Sequence, residues 1–202
     1  MTEKPFSQSC ENNKDVILAV LKDNLCDADW VLEIGSGTGQ HAVYFSDNMA
    51  DIIWQTSDRE QNHGGILSWL KQTSNNNLLA PLKLDVEVDS DWPKQKYQAV
   101  FTANTAHIMS WEAVNKMFQG VAKILQKEGL FLQYGPFNTD GEFSSKSNKS
   151  FESWLKQQGA EMGIRDITEM KLVAKELSLT LRNKIAMPAN NLILIWEKTE
   201  SN

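Results

Sequence analysis

Three glycines spaced two residues apart are the positions in this sequence best suited to hold a ligand. Gly35, Gly37 and Gly39 follow a short apolar segment, 30–34, and precede a stretch with helical character that begins near Gln40. Glycine lets the backbone adopt positive φ and approach a bound molecule closely, and a helix start offers unpaired N–H groups. In an open parallel sheet, ligands bind in the crevice at the carboxyl ends of the strands. The spacing therefore predicts a ligand-binding loop, with a turn that needs glycine for packing alone as the alternative.

The same stretch can be aligned with two glycine patterns. Residues 37–42 match the GxGxxG/A pattern of dinucleotide-binding proteins, but that alignment leaves Gly35 and Ser36 as an unexplained extension and gives Glu33 no role. The pattern E-x-G-x-G-x-G, which starts at Glu33, uses all four of its residues. We therefore favour the second pattern and keep a dinucleotide as the weaker alternative.

Strands and helices alternate through the first 135 residues, which is typical of a parallel sheet covered by helices on both faces. Apolar and β-branched segments predict strands at 30–34, 52–56, 79–84, 97–103 and 129–134. Helical spacing predicts helices at 16–25 and 65–72, from Gln40 and after Ser110. In the last third, helices are predicted at 151–158 and 168–176, and strands at 177–185 and 192–197 flank a turn-forming loop at 187–191. The predicted fold class is α/β, with a mostly parallel seven-stranded sheet and an antiparallel C-terminal hairpin.

Three local expectations accompany this prediction. Asn12 and Asn13 precede the first apolar-periodic stretch and are candidate caps of its helix. Pro81 cannot donate a ladder hydrogen bond, so it places the third strand at a sheet edge. The polar stretch 138–150 is expected to be a loop.

Composition restricts the classes of protein to which the chain can belong. Its 202 residues predict one domain, 1–202. A net charge of -6 has the wrong sign for a surface that binds phosphate backbones, so we expect no nucleic-acid partner. Cys10 and Cys26 are too few for a disulfide framework and show no zinc-binding spacing, which favours a cytoplasmic protein without a metal site. No apolar run is long enough to predict a membrane span.

The E-x-G-x-G-x-G pattern resembles motif I of the class I S-adenosylmethionine-dependent methyltransferases, and the predicted sheet with its antiparallel end resembles theirs too. The resemblance implies a Rossmann-like methyltransferase fold with S-adenosyl-L-methionine as cofactor. In that family an acid at the end of strand two binds the ribose hydroxyls, and an acidic or amide side chain after strand three lies near the adenine amino group. Asp58 and Asp85 stand at those positions here, with a helix N-cap and a turn residue as the respective alternatives.

The chain after strand four, 102–108, is expected to form the floor between cofactor and acceptor. The resemblance therefore implies the following cofactor-binding residues: Glu33, Gly35, Ser36, Gly37, Gly39, Asp58, Asp85 and Asn104. Several strings resemble one branch more closely, the methyltransferase-like 26 family, long catalogued as a domain of unknown function. They are Phe6-Ser7 and residues 11–15, 32–41, 104–108, 111–112, 134–137, 163–166 and 187–192. This closer similarity implies a cofactor site but no established acceptor.

Methyl transfer from a sulfonium mainly needs alignment, because the positive charge already activates the cofactor. If the acceptor must lose a proton, His107 is the predicted base, with a structural histidine as the alternative, and Asn104 could orient the acceptor. The chain lacks an NPPY-like tetrapeptide after strand four, which argues against methylation of DNA bases and glutamine. An acidic chain without a separate substrate domain favours a small-molecule acceptor. A catalytically silent protein that binds a cofactor or a partner is the alternative function.

Overall fold

A computed structural model describes residues 4–199 of the chain. Within that range the α-helices are α1 (Gln8–Asn24), α2 (Gln40–Asn48), α3 (His63–Leu70), α4 (Trp111–Ile124), α5 (Lys146–Gln158) and α6 (Ile167–Glu176). The strands are β1 (Trp30–Ile34), β2 (Ile53–Asp58), β3 (Leu78–Lys83), β4 (Tyr97–Ala103), β5 (Leu125–Gly135), β6 (Phe137–Asn138), β7 (Arg165–Asp166), β8 (Leu179–Met187) and β9 (Asn191–Lys198). None of the described helices is both long and apolar enough to cross a bilayer.

Seven strands form one sheet in the order β3-β2-β1-β4-β5-β9-β8. β1 to β5 are parallel, whereas β9 runs antiparallel to both β5 and β8. The predicted fold class, including the antiparallel C-terminal hairpin, is confirmed, and β3 lies at the sheet edge that Pro81 predicts. The chain leaves β1 toward β2 and later returns to β4 on its other side, so the strand order reverses between β1 and β4. A crevice opens at the carboxyl ends of the strands where such a reversal occurs.

Apolar side chains cover both faces of this sheet. On one face, Phe118 of α4 packs edge-on against Phe131 of β5 and Trp196 of β9, with ring centroids 5.6 and 5.2 Å apart. On the other face, Phe45 of α2 contacts Trp54 and Phe101 at centroid distances of 5.5 and 5.6 Å. All six of these aromatic side chains are fully buried. Burial of both sheet faces holds the strand ends rigidly, and those ends carry the loops of the predicted site.

Two helices, α1 and α5, begin at Gln8 and Lys146, well before the starts that their apolar spacing predicts. α1 starts at Gln8, because the hydroxyl of Ser7 accepts the N–H of Cys10 and caps the helix. The prediction of Asn12 and Asn13 as caps is therefore wrong. Asn13 lies inside the helix, where its buried Oδ1 is 2.7 Å from Nε2 of His41.

The polar stretch 138–150 is not a loop throughout. α5 begins at Lys146, and the hydroxyl of Ser145 accepts the N–H of Asn148 at 3.0 Å. Asn148 and Leu155 are the buried residues of this helix. With so few buried positions, its first two turns show little of the apolar periodicity by which a helix is recognised.

Candidate functional site

The loop between β1 and α2 is built around its glycines. Gly35 and Gly37 have φ values of +71° and +57°, in the left-handed region that other residues rarely adopt. A Cβ on Gly35 would lie 2.7 Å from Cγ2 of Thr105, so only glycine lets the loops after β1 and β4 approach this closely. A Cβ on Gly37 would have no heavy atom nearer than 4.0 Å, because Gly37 faces open space. The third glycine, Gly39, is the N-cap of α2 and packs against Ile66 of α3.

Asp58 ends β2 beside this loop, and its carboxylate holds the loop in place. Oδ2 accepts the N–H of Gly37 at 2.8 Å, and Oδ1 accepts the N–H of Arg59 at 2.8 Å and the amide of Asn62 at 2.7 Å. A carboxylate offers about four acceptor positions. Three are used, so Asp58 retains one for a ligand hydroxyl. The N-cap alternative for Asp58 does not hold, since the N-cap residue of α3 is Asn62.

Glu33 and Ser36 form a buried support behind the glycines. Oε2 of Glu33 accepts the hydroxyl of Ser36 at 2.8 Å and the indole N–H of Trp54 at 3.2 Å. The N–H of Ser36 donates in turn to the carbonyl of Ser57 at 2.9 Å. Burial raises the pKa of Glu33 to about 7, against the opposing effect of its two donors. These side chains bind the loop to β2 from within the protein.

A cavity of about 430 Å³ lies at the crevice between β1 and β4. Five of the predicted cofactor residues line it, namely Gly35, Gly37, Asp58, Asp85 and Asn104. The other three, Glu33, Ser36 and Gly39, are not among its lining residues and contribute to the loop that forms its wall. This volume is within the usual range for a small-molecule or cofactor site.

Asp85 and Asn104 each present unused polar atoms to the cavity. Oδ1 of Asp85 accepts the N–H of Glu87 at 3.1 Å, which is the turn contact of the alternative interpretation. Within residues 4–199, Oδ2 of Asp85 and the side-chain amide of Asn104 have no hydrogen-bond partner. Asn104 also adopts a φ of 59° while its N–H donates to the carbonyl of Tyr134 at 2.9 Å. Both side chains are therefore free to bind a ligand.

His107, the predicted base, lies behind the cavity wall and is not among the lining residues. Its imidazole is 7% exposed and packs edge-on against Phe151, with centroids 5.3 Å apart. Burial, followed by the nearby positive charge of Arg165, lowers the pKa of His107 to about 4. The ring is therefore neutral near pH 7 but does not reach the cavity directly.

A comparison with models of protein families identifies the family of the chain. The model described as "Protein of unknown function (DUF938)" matches residues 4–198. The chain belongs to this family. Its fold is that of Rossmann-like methyltransferases, as comparison with solved structures shows.

Three solved structures illustrate the likeness of this DUF938 member. An O-methyltransferase family protein from Burkholderia thailandensis has 9% identity and a TM-score of 0.83 over 96% of this chain and 58% of that one. Human N-acetylserotonin methyltransferase in complex with SAM has 11% identity and a TM-score of 0.79, over 96% and 53%. PigF with SAH has 14% identity and a TM-score of 0.74, over 90% and 54%. The chain thus spans little more than half the length of these proteins, and at such identities the likeness concerns the fold.

Several residues of this DUF938 site were not predicted from the sequence. Beside Asp58 and Asp85, the residues that line the cavity include three further charged ones, Arg59, Glu87 and Glu161. Arg59 and Glu87 lie within two residues of predicted positions, so a wider window around each acid could have found them. Glu161 follows α5 and reaches the cavity only through the tertiary fold. The lining residues include four acids and one arginine, so acidic residues predominate around the cavity.

Proposed function

We propose that this chain is an S-adenosylmethionine-dependent methyltransferase that acts on a small-molecule acceptor. The observation that carries the proposal is the predominance of acidic residues around a cavity built on the glycine loop, with four acids against one arginine. S-adenosylmethionine carries a sulfonium and an ammonium against one carboxylate, so its net charge is positive and complements this lining. A dinucleotide would instead bring two phosphate charges into a lining that repels them. The charge therefore favours the methyl donor over the dinucleotide alternative.

The residues present fit the cofactor in hydrogen bonding as well as in charge. Asp58 has one remaining acceptor position for a ribose hydroxyl, and Asp85 has an unused oxygen for an amino group such as that of adenine. Gly37 leaves open space at the loop surface, where any side chain would intrude. Leu84 and Val86 flank Asp85 and give the lining an apolar part suited to a planar base.

When bound, S-adenosylmethionine supplies a methyl group already activated by its sulfonium. The part we assign to the protein is orientation and exclusion of water. Asn104 is the proposed orienting residue, because its free amide borders the cavity. His107 stays a predicted base, and from its buried position its neutral imidazole could take a proton only after residues 104–109 move. The methyltransferase-like 26 branch remains the finer family assignment that we propose from the sequence strings quoted above.

Isothermal titration with S-adenosylmethionine, S-adenosylhomocysteine and NAD tests this proposal. We expect both sulfur ligands to bind and NAD to give no signal. A thermal scan should agree, because a ligand at a hundredfold its Kd adds about 2.7 kcal/mol to the free energy of unfolding. Binding of NAD alone would replace the proposal, and binding of none of the three would remove its basis. An acceptor panel that separates amines from carboxylates would then follow, with S-adenosylhomocysteine production as the readout.

A further inference from the structure

Residues 104–109, here called the β4 loop, form one wall of the cavity through Asn104, Thr105, Ile108 and Met109. The left-handed backbone of Asn104 is a conformation that persists only where surrounding contacts enforce it. Ala106 lies in the core and Met109 packs against it, whereas Ile108 is 47% exposed, so core packing supports only part of the loop. The position of this wall therefore depends on polar contacts from elsewhere in the fold as well as on core packing.

Those contacts come from residues 159–166, here called the α5–β7 segment. Nε of Arg165 donates to the carbonyl of Ala106 at 3.0 Å, and Nη2 donates to the carbonyl of Met109. The N–H of Gly163 donates to the carbonyl of His107 at 2.9 Å. Nη2 of Arg165 also donates to the carbonyl of Glu161 at 2.8 Å. One side chain thus joins three carbonyls, two on the β4 loop and one at a cavity-lining residue of the other segment.

The chemistry of this contact requires arginine. A guanidinium directs its N–H groups in a fixed planar fork, whereas an ammonium is a compact point charge on a flexible stem. Ala106 and Met109 lie at different positions along the β4 loop, and the guanidinium binds their carbonyls through different nitrogens, Nε and Nη2. Burial lowers the pKa of Arg165, against the opposing charges of Glu152 and Glu169, yet every hydrogen bond of the side chain described above goes to a backbone carbonyl. The residue is therefore built to fix backbone positions.

We propose that Arg165 is a positioning residue of the cavity, which holds the β4 loop and Glu161 at a fixed separation and so sets the width of the cavity between them. The ligand part of this inference rests on the proposed function, since it takes S-adenosylhomocysteine as the probe. The structural part, that Arg165 immobilises the β4 loop, applies to the protein without any ligand.

The experiment compares wild type with Arg165→Ala, Arg165→Lys and the control Arg182→Ala. Arg182 lies on β8 with a side chain 58% exposed and an ion pair to Glu197, so its loss removes an arginine away from the cavity. Calorimetry measures the Kd of S-adenosylhomocysteine, and hydrogen exchange by mass spectrometry measures protection of residues 104–109 and 159–166. Guanidinium chloride at millimolar concentration, far below denaturing levels, is added to Arg165→Ala as a chemical rescue.

We expect Arg165→Ala to raise the Kd about tenfold, to speed exchange in both segments and to leave exchange in β1 unchanged. Arg165→Lys should show a smaller defect in the same segments, added guanidinium should lower the Kd of Arg165→Ala, and Arg182→Ala should match wild type. If Arg165 only stabilised the fold, Arg165→Ala would instead lower the melting temperature. Exchange in these two segments would not become selectively faster, and added guanidinium would not restore ligand binding.

Unchanged Kd and unchanged exchange in a folded Arg165→Ala protein would overturn the proposal. If that variant does not fold, Arg165→Lys decides, and wild-type behaviour in both assays would overturn the proposal equally. If wild type itself does not bind S-adenosylhomocysteine, the proposed function fails. The hydrogen-exchange data would still test whether Arg165 immobilises the β4 loop.

Discussion

Removal of the Asp58 carboxylate is the perturbation whose effect the structure defines most fully. Asp58 is 8% exposed and accepts three hydrogen bonds, which leaves one acceptor position for a ligand. A hydrogen bond to a charged acceptor contributes about 1.5–3 kcal/mol. Asp58→Ala should therefore raise the Kd of S-adenosylhomocysteine roughly 10- to 150-fold if that position takes a ribose hydroxyl.

The same substitution also leaves the N–H of Gly37 without its acceptor, so part of the loss would come through the loop. We expect a fall of about 1–3 kcal/mol in the free energy of unfolding, measured with urea. Asp58→Asn is the less informative substitution. Its amide oxygen has only two acceptor positions for the three donors already present, so the loop contacts and the ligand contact would be lost together. Asp51→Ala removes an exposed carboxylate after α2 and is the matched control, with no change expected in either measurement. Calorimetry on a folded Asp58→Ala protein that gave a Kd within twofold of wild type would refute this reasoning.

Three further predictions concern stability and its pH dependence. Gly37→Ala forces a side chain into a φ of +57° and should lower the free energy of unfolding by about 1–2 kcal/mol in urea, whereas Gly64→Ala, where a Cβ meets nothing within 4 Å, should not. Burial raises the pKa of Glu33 from 4.5 to about 7, so its stabilising effect is complete below pH 4.5 and is lost as the pH rises through 7. Glu33→Gln should remove that part of the pH profile, and a profile parallel to wild type would contradict the assigned protonation. Burial lowers the pKa of His107 from 6.5 to about 4, so its contribution is present above pH 6.5 and is lost as the pH falls toward 4. His107→Gln should flatten the acid limb of the urea-unfolding profile, with the remainder due to His41 and to acids of lowered pKa such as Glu11 and Asp166, and an unchanged limb would exclude His107 as a cause.

The parts of the fold that were predictable from sequence are those with a single dominant signal. β1 and β4 occupy the predicted residues because each is a short, buried, largely apolar run with clear ends. α5 was predicted five residues too short, because its first turns bury Asn148 and no apolar side chain. β5 begins at Leu125, four residues before the predicted start, and includes the left-handed Glu128 that separates its two parts. Neither feature has an apolar period that would reveal it.

The candidate site was likewise predictable only in part from the sequence. A glycine pattern specifies a loop and the strand that precedes it, so the cavity could be located from sequence. It does not specify which side of the loop each residue faces, and Glu33 and Ser36 turn out to bind the loop from the protein interior. Glu161 is more than one hundred residues from the glycines, and only the three-dimensional fold brings it to the cavity.

His107 and Arg165 show why residue type alone is a weak guide to a role in this crevice. A histidine after the fourth strand has the titration range of a base, but the fold packs it against Phe151 behind the wall. Arg165 of β7 lies in the string 163–166 quoted for the family resemblance, but its residue type alone predicts no role, and its guanidinium nevertheless reaches the backbone of the wall itself. The backbone of His107 belongs to the same set of contacts, since its carbonyl accepts the N–H of Gly163. If His107 is to take a proton from an acceptor, the contacts of Arg165 must first break, so a base role for His107 and a fixed β4 loop are competing explanations of the same residues.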